Sequence, residues 1–94
     1  MAYIYLIGTE TRCKIGVSKD VQKRMKTLQT GNPEPLHLYY FFEVEEDRKF
    51  RIERHIQKEL GYLKTKGEWF NITPDFGINF LKFAEIRWKD DILI

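Results

Sequence analysis

Cysteine is almost absent from this 94-residue chain, in which Cys13 is the single example. One thiol excludes an internal disulfide framework and a zinc site built from cysteines. Such usage is typical of reducing compartments, so we expect a cytoplasmic protein. The sequence also lacks a run of about 18 apolar residues, which excludes a membrane-spanning helix. Its first residues carry neither a basic leader nor a cleavage site, and no secretory signal is predicted.

Length and composition indicate one small folded domain, residues 1–94. The sequence contains no internal repeat, low-complexity tract or linker. Hydrophobic residues make up 43% of the chain and charged residues 32%, a balance typical of globular rather than disordered proteins. A chain of this length buries a modest core, to which the 15% of aromatic residues should contribute much of the area.

The net charge of +2 conceals an uneven distribution. Residues 1–30 hold six bases and two acids, whereas the remaining 64 residues hold ten bases and twelve acids. The six bases are Arg12, Lys14, Lys19, Lys23, Arg24 and Lys26. A basic segment of this kind indicates either a contact surface for a polyanion or an ordinary solvated surface, and charge alone favours neither.

Alternating side chains over residues 1–17 predict a β-hairpin. One face carries Ile4, Leu6, Cys13, Ile15 and Val17, and the other carries Tyr3, Tyr5, Arg12 and Lys14. We expect a two-residue loop at positions 9 and 10. Tyr5 then pairs with Lys14, with Cβ atoms about 5 Å apart. In the same register Tyr3 pairs with Gly16.

The rest of the chain alternates between predicted helices and strands. Ser18 is a candidate N-cap for the first helix, and Thr73 followed by Pro74 is typical of the start of another. The predicted helices span 19–30, 46–60 and a segment from 73 onward, the third strand spans 36–44, and a short extended piece covers 67–72. The order β-β-α-β-α-(β)-α predicts an α+β fold with a small, mainly antiparallel three-stranded sheet flanked by helices.

Short motifs at fixed spacing resemble those of the GIY-YIG endonuclease superfamily. The matching segments are Tyr3-Ile4-Tyr5, Lys14-Ile15-Gly16, Arg24 and Gly67-Glu68-Trp69-Phe70. The last of these, together with residues 28–36, is similar to a short, phage-associated branch with a Gly-Glu-Trp-Phe signature. The resemblance covers about residues 3–72, and the helix predicted within 73–94 lies outside it.

Three positions depart from the superfamily pattern. Tyr3 stands where the eponymous glycine occurs, and Lys14 stands where the eponymous tyrosine occurs, although some members carry lysine there. The branch also pairs a helix glutamate with a histidine four residues later, whereas here Glu53 is followed by Gln57. The nearest histidine, His55, points about 160° away from Glu53 on a helix and is not expected to take that role.

The resemblance implies a set of catalytic residues. One divalent cation, Mg²⁺ or Mn²⁺, would be held mainly by Glu68, which suits a hard ion that keeps several waters. Tyr5 would activate the attacking water, and Lys14 would favour its phenolate form, because a free phenol with a pKa near 10 is a weak base. Arg24 would bind the scissile phosphate through its planar donors. Neighbouring phosphates would contact Tyr3, Arg12, Lys19, Lys23 and Lys26.

The leading hypothesis is therefore a metal-dependent DNA endonuclease that nicks DNA or cuts both strands. A catalytically weak nucleic-acid-binding module of the same fold is one alternative, and a protein-interaction domain is another. The chain is too short for a separate DNA-recognition domain, so either intrinsic specificity is low, or specificity comes from a homodimer or a separate DNA-targeting partner. The frequency of this branch in phages favours a viral or mobile-element origin.

Overall fold

The computed structural model describes residues 1–65 and 69–89, and in this part of the chain a four-stranded antiparallel sheet is packed between helices. The strands are β1 (Ala2–Gly8), β2 (Cys13–Ser18), β3 (His37–Val44) and β4 (Trp69–Phe70), in the spatial order β3-β1-β2-β4. The helices are α1 (Val21–Thr30), α2 (Lys49–Glu59) and α3 (Pro74–Lys89), with a 3₁₀ turn at Gly61–Leu63. The predicted α+β class and element order are confirmed, but the sheet has four strands rather than three, because Trp69–Phe70 within the predicted extended piece form the fourth. Within these ranges no helix is both long and apolar enough to cross a bilayer.

Both faces of the sheet are covered, but unequally. On one face the alternating residues Ile4, Leu6 and Ile15 join the main core with α2 and α3. The opposite face forms a smaller cluster in which Tyr5 and Ile7 pack beneath Val21 of α1. The main core provides most of the buried apolar area that stabilises a domain of this size. The smaller cluster holds Tyr5, the predicted catalytic tyrosine, at the centre of the face under α1.

The hairpin register differs from the prediction by two residues. Tyr5 pairs with Gly16, Tyr3 with Ser18, and Lys14 with Ile7, so the predicted pairing of Tyr5 with Lys14 is wrong. The loop contains four residues rather than two, and the Thr9 N–H closes it by donating to the Arg12 carbonyl at 2.9 Å. Because side chains alternate with a period of two, a shift of two residues changes the partners and preserves the faces.

The helix starts follow local capping chemistry. Ser18 remains in β2, and Asp20 caps α1 instead, with its carboxylate accepting from the Lys23 N–H at 3.0 Å. The prediction that Ser18 caps this helix is therefore wrong. The predicted cap of α3 is confirmed, since the Thr73 hydroxyl accepts from the Phe76 N–H at 3.3 Å. Helix α2 begins at Lys49, three residues later than predicted, because residues 46–48 form a turn.

Cys13 makes the stability of the fold sensitive to alkaline pH. Its side chain is fully buried in the main core, and this burial raises the pKa of the thiol from 9.0 to about 11. Between these two pH values the unfolded thiol ionises while the folded one stays neutral, so stability is lost as the pH rises. We expect Cys13→Ala to lose less stability than the wild type between pH 9 and about 11, as measured by urea unfolding. If the free energy of unfolding fell equally steeply with pH in the two proteins, the raised pKa of Cys13 would be contradicted.

Candidate functional site

Tyr5 and Arg24 form the centre of the candidate site. The Tyr5 side chain is only 1% exposed, and its hydroxyl accepts a hydrogen bond from Arg24 Nε at 3.1 Å. Arg24 reaches the tyrosine because α1 lays Val21, Met25 and Leu28 onto the same face of the sheet. The structure thus joins two residues that are 19 positions apart in the sequence, and it places a guanidinium directly on a phenol oxygen.

Gly16 provides the space into which the Tyr5 ring leans. A Cβ atom built on Gly16 would lie 2.4 Å from the Tyr5 hydroxyl oxygen and 2.7 Å from the ring carbon that bears it. Both separations are far below van der Waals contact, so the Tyr5 phenol fits here only because residue 16 has no side chain. The predicted register placed Gly16 opposite Tyr3, so this contact was not predicted, although glycine inside a strand often marks such a close approach.

Lys14 lies on the same face of the sheet as Tyr5, but its pair with Ile7 is two pairs along the ladder from the Tyr5–Gly16 pair. It is 8% exposed, it pairs with Ile7 on β1 and with Trp69 on β4, and its ammonium lies 5.9 Å from the centroid of the Trp69 ring. The expectation that Lys14 stands directly across from Tyr5 is therefore wrong. Its effect on the ionisation of Tyr5 stays a prediction.

Trp69 carries a second cation on the same ring. The Arg12 guanidinium carbon lies 5.1 Å from the ring centroid, within the range of a cation–π contact. Arg12 also approaches the Glu34 carboxylate at 3.7 Å, an exposed pair that adds little stability. We call Arg12, Lys14 and Trp69 the cation–tryptophan cluster. Trp69 is half-buried with two cations beside it, and its neighbour Phe70 is fully buried.

Of the remaining predicted phosphate contacts, the three lysines lie along the start and outer side of α1. Lys19 precedes the helix, and Lys23 and Lys26 are exposed and three positions apart, so the last two share one side of α1. Tyr3 is half-buried at the other end of β1 from the hairpin loop, and its ring packs edge-on against Phe41 at 5.9 Å. The structure therefore distributes these residues around the Tyr5–Arg24 pair rather than gathering them at one point.

Gln57 braces β2 from the main-core side of the sheet. Its side-chain Nε2 donates to the Ile15 carbonyl at 2.8 Å, and its buried Oε1 has no hydrogen-bond partner among the residues described. His55, two positions earlier, instead contacts Glu59 at 2.8 Å and packs on Trp88 at 5.6 Å. Gln57, four positions after Glu53, thus fixes the β2 backbone one residue away from Gly16.

A metal site would depend on a residue outside the described part of the chain. Glu68, predicted to hold the ion, falls in the gap between residues 65 and 69, directly before Trp69 in sequence. Among the described residues no three His, Cys, Asp or Glu side chains gather in a way that could hold a metal ion. The prediction that Glu68 holds Mg²⁺ or Mn²⁺ therefore stays a prediction.

Comparison with known proteins gives one family. No curated protein and no solved structure was found to match the chain. The sequence profile of the T5orf172 domain matches residues 2–85, which include every element of the described fold except the end of α3. The chain therefore belongs to the T5orf172 domain family, a phage-associated family that is related to GIY-YIG and HNH-like nucleases and is associated with nuclease-like or DNA-binding function.

Proposed function

We propose that the chain is a metal-dependent DNA endonuclease of the GIY-YIG type. The observation that carries the proposal is the buried Tyr5 hydroxyl held by Arg24 over the bare backbone of Gly16. A cation that donates to a phenol oxygen stabilises the phenolate, which is the form able to accept a proton from water. Membership of a nuclease-related family supports the same reaction class.

Each residue then has a defined task in phosphodiester hydrolysis. Tyr5 accepts the proton of the attacking water, and Arg24 donates to the phosphate oxygens as negative charge builds up on them. Glu68 would hold the divalent ion, Mg²⁺ or Mn²⁺. When bound, the ion would supply stabilisation of the developing charge on the phosphate and the leaving oxygen. Lys14 adds positive charge to the same face of the sheet.

The basic residues on either side of the Tyr5–Arg24 pair suit a DNA backbone. The cation–tryptophan cluster lies on the β2–β4 side of the sheet, and Lys23 and Lys26 lie on the outer side of α1. Contacts of this kind set affinity and salt dependence rather than sequence preference. One chain carries one Tyr5–Arg24 pair, so a double-strand cut requires a second copy, a targeting partner that presents both strands, or two successive nicks.

A catalytically weak DNA-binding module is the second candidate, and Gln57 favours it. An amide cannot exchange protons at neutral pH as a histidine can. With Gln57 bound to the Ile15 carbonyl, the helix α2 side of the site has a structural brace where the branch has a titratable group. In that case the fold would retain DNA affinity with little or no turnover.

Incubation with supercoiled plasmid separates the two candidates. We expect conversion to nicked or linear DNA with Mg²⁺ or Mn²⁺ and none with chelator, because the charge on the phosphate needs the ion. Plasmid retention that weakens with salt, without any cleavage in either metal, would favour the binding module. If the protein neither cleaves the plasmid nor retains it, that result would contradict both candidates.

A further inference from the structure

A cavity of about 280 Å³ opens beside the start of α1, next to the candidate site. It is lined by Tyr3, Lys19, Asp20, Val21, Gln22 and Phe41. The β1–β3 register places Phe41 directly across from Tyr5, so the cavity adjoins the strand that carries the proposed catalytic tyrosine. We call it the aromatic pocket.

Phe41 gives this pocket an exposed aromatic surface that takes no part in the main core. Phe41 is 49% exposed on β3, while its neighbours Phe42 and Val44 point into the main core. The Tyr3 and Phe41 rings meet edge to face at 5.9 Å with an interplanar angle of 74°. This arrangement fixes the orientation of both rings and leaves aromatic surface open to solvent.

Polar groups surround the two rings with both donors and acceptors. Lys19 contributes an ammonium, Gln22 an amide, and Asp20 a carboxylate of which one oxygen is already bound to the Lys23 N–H. Acids lie near the lysine. Glu43 pairs with Tyr3 across the sheet, and the pKa of Glu46 is lowered mainly by its hydrogen bond with Lys49 and in smaller part by the charge of Lys19. A phosphate gains little from such mixed charge, whereas a neutral base edge carries donors and acceptors of its own.

We propose that the aromatic pocket binds a nucleobase that is not paired, and that the substrates of this protein are DNAs with unpaired nucleotides beside the cleaved bond. The proposal rests on the proposed function and adds the substrate class to it. A base inside a duplex is stacked on both faces and cannot lie on Phe41. A base in a flap, gap or single strand has a free face, and stacking on an aromatic ring stabilises it whatever its identity.

DNA affinity measured in chelator tests this assignment apart from cleavage. Fluorescence anisotropy is recorded with a fully paired duplex, a single strand and a flapped duplex of equal length, all with the wild type, Phe41→Leu and Phe41→Tyr. We expect the wild type to bind the single-stranded and flapped DNAs more tightly than the duplex. Phe41→Leu should weaken binding of these two DNAs about tenfold and leave duplex binding unchanged, because it removes one stacking surface. Phe41→Tyr keeps the ring and should restore most of the affinity.

Phe83→Leu is the matched control, since Phe83 is 61% exposed on α3 and lies outside the aromatic pocket. Equal affinity of the wild type for all three DNAs, or equal effects of Phe41→Leu and Phe83→Leu, would overturn the proposal. Failure of the endonuclease assignment has a different signature. In that case the preference for unpaired DNA persists in chelator while no metal supports cleavage.

Discussion

Replacing Gly16 by alanine should lower the cleavage rate at least about a hundredfold and destabilise the fold by about 1–3 kcal/mol. The new methyl group would overlap the Tyr5 hydroxyl, which is 2.4 Å from the position of that Cβ atom. The ring has nowhere to retreat, because it is 1% exposed and lies under α1 with Arg24 on its oxygen. Either Tyr5 or β2 must move, and either movement disturbs the hydrogen bond between the Tyr5 hydroxyl and Arg24. Single-turnover cleavage and urea unfolding measure the two effects.

Gly31→Ala is the control for this substitution. Gly31 follows α1 with φ of −93°, and a Cβ atom there meets nothing within 4 Å. The Gly31→Ala substitution should therefore leave both the cleavage rate and the stability close to the wild-type values. A Gly16→Ala protein that cleaves at the wild-type rate would show that the close approach of Tyr5 to β2 has no part in catalysis.

Removing the Tyr5 hydroxyl should cost between about a hundredfold and ten-thousandfold in cleavage rate, the usual contribution of a general base. Tyr5→Phe keeps the ring in the small cluster and loses the hydrogen bond from Arg24, which is worth about 1 kcal/mol. The predicted outcome is thus a large catalytic defect in a protein that remains folded. DNA affinity should change little, because phosphate contacts come from basic side chains.

Tyr40→Phe provides the comparison for loss of a tyrosine hydroxyl elsewhere. Tyr40 donates to Glu85 between β3 and α3, and burial, together with this contact, raises the pKa of the phenol to about 12. The substitution should lower stability, since the Glu85 carboxylate loses a donor, and should leave the cleavage rate unchanged. Equal cleavage by the Tyr5→Phe and wild-type proteins would exclude Tyr5 as the proton acceptor.

The elements and faces of this fold could be predicted because they depend on local pattern. The period of two in residues 1–17 assigns Ile4 and Ile15 to the core face whatever the pairing, and the structure confirms it. The register could not be obtained in this way, since it depends on how many residues the loop contains. The loop residues 9–12 have no Asn-Gly or similar signal that selects a two-residue turn.

The candidate site could likewise be predicted from the sequence only in part. Motif spacing nominated Tyr5 and Arg24, and the structure brings them together through a helix laid across the sheet. The close approach at Gly16 and the two cations on Trp69 depend on which residues face each other across strands. Such cross-strand contacts follow from register, so the sequence pattern alone placed Lys14 beside the wrong partner. The role of Glu68 stays a prediction, because it lies outside the described residues.

The measurement closest to the central claim is the Mg²⁺-dependent cleavage rate of Glu68→Gln beside its DNA affinity and melting temperature. The proposed mechanism predicts a loss of about a thousandfold or more in rate, because the substitution removes the carboxylate that holds the ion. Affinity for DNA in chelator should stay near the wild-type value, and so should the melting temperature. Undiminished cleavage by a folded Glu68→Gln protein would contradict the assignment of this site as a metal-dependent endonuclease centre.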